Sequence, residues 1–151
     1  MVYPQTDSQV MLPLSPDAGL VATLAGTAMP FAHSTEDQVD RWLRALRLHG
    51  RVGAAMQALG VGEAALEGQS DTAGPAAEAP PDPDAAEHVV ARAVEMAIQR
   101  EANAVSTLDI LAALFDVYGT LMDRALYDRG SSRDELDARV AEMDERAEAS
   151  L

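Results

Sequence analysis

The chain has 151 residues, of which 48% are hydrophobic and only 4% aromatic, and it has a formal net charge of −14 and no cysteine. This length suffices for one domain with a substantial core, and many alanines with few aromatic residues favour closely packed helices over a β-sandwich. The charge excludes nucleic acid and anionic lipid as main ligands, because both require a lysine and arginine footprint. The absence of cysteine excludes disulfides and thiolate metal sites and favours the reducing cytoplasm. No apolar run approaches the about 18 residues that span a membrane.

Two segments with helical periodicity are separated by a segment without it. Residues 1–14 contain two prolines and no hydrophobic period, which predicts a flexible arm. Residues 68–83 contain four prolines and almost no bulky apolar residue, which predicts a linker. Residues 15–67 and 84–149 show helical periodicity, and we expect them to pack together as one all-α domain.

The first segment begins with a strong helix start at Ser15-Pro16-Asp17, where serine caps, proline takes the first helical position and aspartate lies at the positive dipole end. Thr35 and Gln38 have the spacing of a capping box for the next helix. Gly50 is expected to end that helix, and Gly60 the one after it. The apolar stripe of the second helix consists of Val39, Trp42, Leu43 and Leu46, and we expect Trp42 to be a core anchor whose indole N–H has one partner.

The second segment contains the most apolar helix of the chain. Asp84 begins a helix that runs to about Ala102 and buries Val90, Val94, Ala97 and Ile98. After the hydroxyl residues Ser106 and Thr107, which can cap, the next helix has one apolar row at Leu108, Leu111 and Phe115 and another at Ile110, Leu114 and Val117. A helix that is apolar around most of its circumference belongs in the middle of a packed domain. A further helix ends at Gly130, and Ser132 with Glu135 forms a capping box for the last.

The two segments can be aligned with each other. Ala55–Gly60 matches Ala125–Gly130, and Trp42–Leu46 matches Ile110–Leu114. Each half is therefore predicted to be a four-helix unit with an outer, a central, a short and a closing helix, the closing helix of the first half being one turn at Glu63–Leu66. Two such pseudo-symmetric repeats, with about eight helices in total, would bury their central helices together.

This pattern resembles the double-repeat N-terminal domain of the Clp/Hsp100 unfoldases, particularly the ClpC type. The residues that carry the resemblance are Gly53–Gly62, Val89–Ala97 and Val105–Leu114, and it covers about residues 15–67 and 84–140. These are helix-packing motifs, so they specify the fold better than the function. The resemblance implies a protein-binding module, which in the family receives substrates and adaptors for an attached ATPase ring.

Two departures from the family limit what the resemblance implies. The chain contains no Gly-x-x-x-x-Gly-Lys-Ser/Thr motif, so the resemblance does not extend to ATP hydrolysis. The family commonly carries Thr-Glu-His at the start of each central helix, where the glutamate serves phosphoarginine recognition in some members. Here the second copy reads Thr107-Leu108-Asp109 and the first aligns with Val39-Asp40-Arg41, so Asp40 is the carboxylate at the glutamate position.

No residue pattern indicates catalysis, a metal or another cofactor. The three histidines, at positions 33, 49 and 88, lie in separate segments, whereas a metal site needs several convergent ligands. Ser106, Thr107 and Ser132 are explained as helix caps, without the histidine and acid that would make a nucleophile. The carboxylates of the last helix form a solvated face, and none is isolated in the apolar surroundings that raise a pKa for acid–base work.

Candidate binding residues lie on the second helix and near two later helix ends. Three arginines recur along one side of the second helix, either as a solvated face or as a basic patch for a carboxylate-bearing partner. Two tyrosines near helix ends are placed to line a groove with their hydroxyls in water. The candidates are Arg41, Arg44, Arg47, Asp40, Tyr118 and Tyr127.

The expected function is a non-catalytic protein- or peptide-binding module. It would act as an adaptor, decoy or sequestering factor in Clp-type proteolysis, or against small molecules that target such domains. The expected partner is a protein or peptide, with a Clp ATPase and its substrates as candidates. The alternative is a structural or assembly protein that uses the same fold for oligomer contacts, such as those of a homodimer, through its acidic tail and N-terminal arm.

Overall fold

A computed structural model of the chain describes residues 12–61, 81 and 83–150, with side chains through residue 143. Within these ranges the protein is all-helical and has no strand, which confirms the predicted fold class at that level. None of the described helices combines the length and the apolar composition needed to cross a bilayer. The helices are α1 (Pro16–Ala28), a 3₁₀ turn (Met29–Phe31), α2 (Thr35–Arg47), α3 (Gly50–Ala58), α4 (Ala85–Gln99), α5 (Thr107–Tyr118), α6 (Thr120–Asp128) and α7 (Arg133–Ser150).

The end of the predicted arm lies against the start of α5. Leu14 forms an isolated parallel bridge with Val105. The Ser15 N–H donates to the Val105 carbonyl at 2.8 Å, and the Val105 N–H donates to the Pro13 carbonyl at 2.9 Å. Because Val105 is fully buried, its backbone groups need partners inside the protein, and residues 13–15 supply them. The rest of the predicted arm, most of the predicted linker and the turn at 63–66 lie outside the described residues.

Three of the predicted helix starts are confirmed. The Ser15 hydroxyl accepts a backbone N–H from three residues on at 3.1 Å, with proline at the first position of α1. Ser106 and Asp109 form a reciprocal capping box at α5. At α7 the Glu135 N–H donates to the Ser132 hydroxyl at 3.2 Å. These caps are local because donor and acceptor are three residues apart.

The cap of α2 lies one residue earlier than predicted. Ser34, not Thr35, is the N-cap, and its hydroxyl accepts the Asp37 N–H at 3.0 Å. Asp37 in turn accepts the His33 N–H at 3.0 Å. Gln38, the predicted partner in the box, is buried on the inner side of the helix instead.

Helix α5 is the centre of the described fold. It packs against α1, α2, α3, α4 and α6, as its apolar circumference predicts. Its most extensive contact is with α4, where Ala97 is buried as predicted. Val89 and Ala93 are fully buried in place of Val90 and Val94, which are partly buried, and Ile98 is exposed. The small alanines allow the two helix axes to approach closely, and the bulkier residues flank the contact.

Two glycines allow α3 to lie close to its neighbours. Gly50, predicted to end α2, is instead the first residue of α3 and has a φ of +78°. A Cβ at Gly50 would lie 2.9 Å from the side chain of Thr107 at the start of α5. A Cβ at Gly53 would lie 2.5 Å from the Leu46 carbonyl oxygen. Helix α3 is therefore wedged between the end of α2 and the start of α5.

Trp42 is fully buried, as expected for a core anchor. The expected partner of its indole is missing, however, because Nε1 has no hydrogen-bond partner among the described residues. The surrounding core is assembled from aliphatic side chains of several helices, which offer no acceptor. The burial of Trp42 is thus maintained by apolar packing alone, at the cost of one unsatisfied donor.

Candidate binding surface

Asp40 joins two helices of the core instead of presenting a free carboxylate. Its Oδ1 accepts a hydrogen bond from Arg129 Nη2, and its Oδ2 lies 3.1 Å from Arg44 Nη2. The Arg129 side chain is only 3% exposed, and its Nη1 also donates to the Ala125 carbonyl at 2.9 Å. Burial lowers the pKa of Arg129. The ion pair therefore links α2 to the end of α6.

The other two arginines of α2 also have partners within the domain. Arg41 lies 3.4 Å from Asp37 and donates to the Phe31 carbonyl at 3.3 Å. Arg47 Nε donates to the Val61 carbonyl at 2.9 Å, which ties α2 to the end of α3. The three arginines thus do not form the basic patch that was one of the two interpretations, because acidic residues alternate with them along α2 and a carbonyl accepts from Arg47. Arg44 is the most exposed of the three, and its binding of a partner stays a prediction.

The two candidate tyrosines have opposite environments. Tyr118 is buried, and its hydroxyl donates to Gln38 Oε1 at 3.3 Å. The prediction that this hydroxyl lies in water at a groove is wrong, because the Gln38 side chain of α2 accepts its hydrogen bond inside the protein. Tyr127 on α6 is 78% exposed, and its ring is available to a partner.

The start of α5 is stabilised by an ion pair that the sequence patterns did not indicate. Arg100, which follows α4, donates from Nε to Asp109 Oδ1 at 2.8 Å and from Nη2 to Oδ2. Asp109 Oδ2 also accepts the Ser106 N–H at 2.9 Å, and the Asp109 side chain is 5% exposed. Burial raises the pKa of Asp109, but the hydrogen bonds from Arg100 and Ser106 outweigh that effect and hold it below its ordinary value.

A small apolar pocket lies between α5 and α7. Its volume is about 180 Å³, and it is lined by Leu108, Leu111, Ala112, Phe115, Arg133 and Asp137. Arg133 covers one side, with its guanidinium carbon 4.4 Å from the centre of the Phe115 ring and its Nε 3.7 Å from Asp137. The apolar row of Leu108, Leu111 and Phe115 was predicted from the sequence, but the approach of α7 that makes it a pocket was not.

The caps of α2 and α5 offer an alignment of the two halves that differs from the predicted one. When Ser34 is placed opposite Ser106, Trp42 falls opposite Leu114 rather than Ile110, and both are fully buried. Glu36 then falls opposite Leu108, which lines the pocket. This alignment differs by four residues from the predicted one, which placed Trp42 opposite Ile110.

In the part of the chain that the structure describes, no three His, Asp or Glu side chains are grouped to hold a metal ion. Comparison of the sequence with protein-family models and with curated proteins gives no significant match. The geometry therefore offers an apolar pocket with one charge of each sign at its rim and an exposed tyrosine, without a reactive centre among the described residues.

Proposed function

We propose that this protein is a non-catalytic peptide-binding module with the pseudo-symmetric arrangement of a Clp/Hsp100 N-terminal domain, and that its binding site is the α5–α7 pocket. The observation that carries the proposal is the pocket itself. It presents apolar side chains from the central helix of the domain beside an arginine at its rim. The cytoplasmic location expected from the absence of cysteine stays part of the proposal.

The corresponding helix ends of the two halves support a repeat. Helices α2 and α5 both begin at a serine cap with aspartate three residues later. Helices α3 and α6 are both nine residues long and both end before a glycine with positive φ, Gly60 and Gly130. At each of these ends the next residue donates its N–H back into the helix at 2.9 Å.

The packing of the helices supports a pseudo-two-fold relation. Central helix α2 packs on short helix α6, and central helix α5 packs on short helix α3. A two-fold axis requires such reciprocal pairs, since each contact must have a counterpart with the halves exchanged. The two central helices also contact each other.

The size of the pocket favours a peptide side chain over a small-molecule ligand. Its volume of about 180 Å³ lies below the roughly 300–1,000 Å³ of pockets that enclose small-molecule ligands. An aliphatic or aromatic side chain of a peptide fits this volume. Arg133 at the rim favours a carboxylate next to that side chain, in competition with Asp137, whose Oδ2 lies 3.7 Å from Arg133 Nε. When the two serine caps are aligned, Leu108 of the second half lies opposite Glu36 of the first half. The second half therefore provides the apolar binding face.

The proposal is tested by selecting peptides that bind the full chain from a displayed random library. We expect an apolar anchor residue with an acidic neighbour. Leu108→Glu, at a partly exposed position of the pocket, should abolish binding, because a carboxylate then lies where the apolar anchor would be buried. Leu48→Glu is the matched control, since it adds the same charge at an exposed leucine outside the pocket and should leave binding unchanged.

The outcomes decide the proposal clearly. Selection of no peptide, or equal binding by the Leu108→Glu and parent chains, would refute it. A preference for basic neighbours of the anchor would contradict the assigned role of Arg133. Helical circular dichroism of each variant separates lost binding from lost folding.

A second experiment addresses the narrower role as an adaptor, decoy or sequestering factor. The chain is immobilised and incubated with a purified Clp ATPase, and separately with peptides selected as above. Retention of the ATPase would support an adaptor role, whereas retention of its substrates alone would support sequestration. Retention of neither would refute a role in Clp-type proteolysis while leaving peptide binding to be decided by the first test.

The alternative function, a structural or assembly protein, needs a different surface. The N-terminal arm through residue 11 and the side chains of the acidic tail beyond residue 143 lie outside the described residues. An uncharged face on α1 is the described feature that favours self-assembly.

A further inference from the structure

The outer face of α1 carries no charge beyond Asp17 in its first turn, although the protein is strongly acidic, and it exposes two leucines. No charged residue occurs from position 18 to position 32. On the solvent side of the helix Leu20 is 49% exposed and Leu24 is 41% exposed. The inner side is accounted for by Ala18, Val21 and Ala25, which are fully buried. Residues exposed on a helix that already buries its other side do not contribute to the core, so their apolar character needs another reason.

Two glycines on the same helix have no packing role among the described residues. Glycine in a helix interior is less favourable than alanine, since it loses more backbone freedom on folding. A Cβ at Gly19 or at Gly26 would meet no atom within 4 Å, and neither residue has a positive φ. No described neighbour therefore requires glycine at either position. A second helix approaching from outside would require it, because glycine allows close contact between two backbones.

The arrangement of these residues matches the symmetry of a dimer. At 3.6 residues per turn, Leu20 and Leu24 lie along one edge of the exposed face, Gly19 and Gly26 along the other, and Thr23 between them. The leucine pair and the glycine pair are both centred close to position 22 or 23. When two such helices run antiparallel around a two-fold axis at that point, Leu20 meets Leu24 of the second copy and Gly19 meets Gly26 of the second copy. An isologous contact requires this self-complementarity.

The charge distribution permits a second copy of this chain as the occupant, which the self-complementary arrangement of leucines and glycines favours. Two copies with a net charge of −14 each repel, so they associate best through a surface that carries no carboxylates. We propose that α1 is the self-association surface of the protein and pairs antiparallel with α1 of a second copy, with the two-fold axis near Thr23. This inference is independent of the α5–α7 pocket.

The size of the face determines the strength of the dimer. A helix of 13 residues is about 20 Å long, and one such helix pair buries less than the roughly 1,200 Å² of a stable standard interface. The dimer is therefore weak and reversible. It forms at high protein concentration and strengthens with salt, which screens the repulsion between the two acidic copies.

Sedimentation equilibrium of the full chain from micromolar to millimolar concentration is the first test. The parent chain should show a monomer–dimer equilibrium. Leu24→Glu should weaken association at least about tenfold, because it places a charge in the apolar contact. Leu48→Glu makes the same charge change at a 58% exposed leucine that directly follows α2, and it should not weaken association. A parent chain that is monomeric at every concentration, or equal association of the two variants, would overturn the proposal.

Gly26→Ala distinguishes a helix contact from a structural role of the glycine. The methyl group enters open space in the monomer, so the melting temperature should rise. The same methyl group separates the paired helices, so association should weaken several-fold. Higher thermal stability with unchanged association would contradict the proposed register.

Cross-linking tests the position of the two-fold axis. The natural sequence contains no cysteine, so Thr23→Cys introduces a single thiol next to the proposed axis. Mild oxidation should yield a disulfide dimer of Thr23→Cys at concentrations where Leu48→Cys stays monomeric. Equal cross-linking of the two variants would exclude the pairing. If α1 captured a different protein and no dimer formed in any of these experiments, the proposal that a second copy occupies this face would be refuted.

Discussion

The starts of α2 and α5 use the same local chemistry in different surroundings. Each begins at a serine cap with aspartate three residues later. Asp37 of α2 is about one-quarter exposed and pairs with Arg41 of its own helix. Asp109 of α5 is 5% exposed and is bound by Arg100 from another helix. The same Ser-x-x-Asp sequence therefore carries a partly exposed aspartate at the start of α2 and a buried one at the start of α5.

The difference follows from what lies on the rest of each helix. Helix α2 carries Asp37, Asp40, Arg41 and Arg44, which pair with one another along the helix and, at Asp40, with Arg129. Helix α5 is apolar nearly all round and is covered by its neighbours. The buried cap of α5 then needs a compensating cation, because an uncompensated buried carboxylate is costly.

The largest effect is expected from Gly53→Ala. Its Cβ would lie 2.5 Å from the Leu46 carbonyl oxygen and 2.8 Å from the Arg47 carbonyl oxygen, and these backbone atoms cannot move aside as the end of a flexible side chain could. We expect a loss of about 3 kcal/mol in the free energy of unfolding, measured by urea denaturation. Asp123→Ala, at the matching position of exposed α6, is the control and should change stability by at most about 0.5 kcal/mol. Similar values for both variants would show that α3 and α6 are packed alike.

Asp109→Ala should have the next largest effect. It removes the acceptor of Arg100 and of the Ser106 N–H, and we expect a loss of about 2 kcal/mol. Asp37→Ala removes the equivalent group from the exposed cap and should cost about 1 kcal/mol. Urea denaturation of both variants compares the two starts directly. A larger loss of unfolding free energy for Asp37→Ala than for Asp109→Ala would contradict the expected difference between the two helix starts.

The stability contributed by Asp109 should depend on pH in the acid range. Its pKa in the folded protein is lower than its ordinary value, so the unfolded state binds a proton more readily. The contribution is therefore fully present above the unfolded pKa of about 3.9 and is lost as the pH falls through the lower folded pKa. The difference in unfolding free energy between the parent chain and Asp109→Asn should shrink below about pH 4. A constant difference down to pH 2 would contradict the assignment.

The smallest effect is expected at the end of α4. Glu101 has a φ of +60°, whereas Gly60 and Gly130 take the matching position after α3 and α6. A left-handed conformation is strained for glutamate but not for glycine. Glu101→Gly should raise the unfolding free energy by about 0.5–1 kcal/mol, seen as a higher midpoint in thermal denaturation. A lower midpoint would indicate that the glutamate side chain contributes more than its backbone strain costs.

Features set by neighbours in the chain could be predicted from the sequence. The caps at Ser15, Ser106 and Ser132 and the helix ends before Gly60 and Gly130 were predicted correctly. These interactions join groups three to five residues apart, so a short stretch contains both partners. The central position of α5 was also predictable, because its apolar circumference leaves no side for solvent.

Features made by two distant segments were predicted poorly. Tyr118 was expected in a groove, but it is buried because Gln38 of α2 meets its hydroxyl. Asp40 was expected as a binding carboxylate, but Arg129 from the end of α6 pairs with it. In both cases the helical segment around the residue was predicted correctly. Its hydrogen-bond partner, however, lies about 80 or more positions away in the sequence. Sequence periodicity carries no information about which helices cross.

Composition, hydrophobic period and capping motifs were sufficient to establish an all-α protein with one helix at its centre, since each depends on residues close together in the chain. The folded arrangement was needed to form the pocket, where Arg133 of α7 covers Phe115 of α5. The folded arrangement also determines that no described helix covers the outer face of α1. The reason is physical: a side chain's exposure depends on the helices packed around it, and those are selected by the shape and charge of the whole domain.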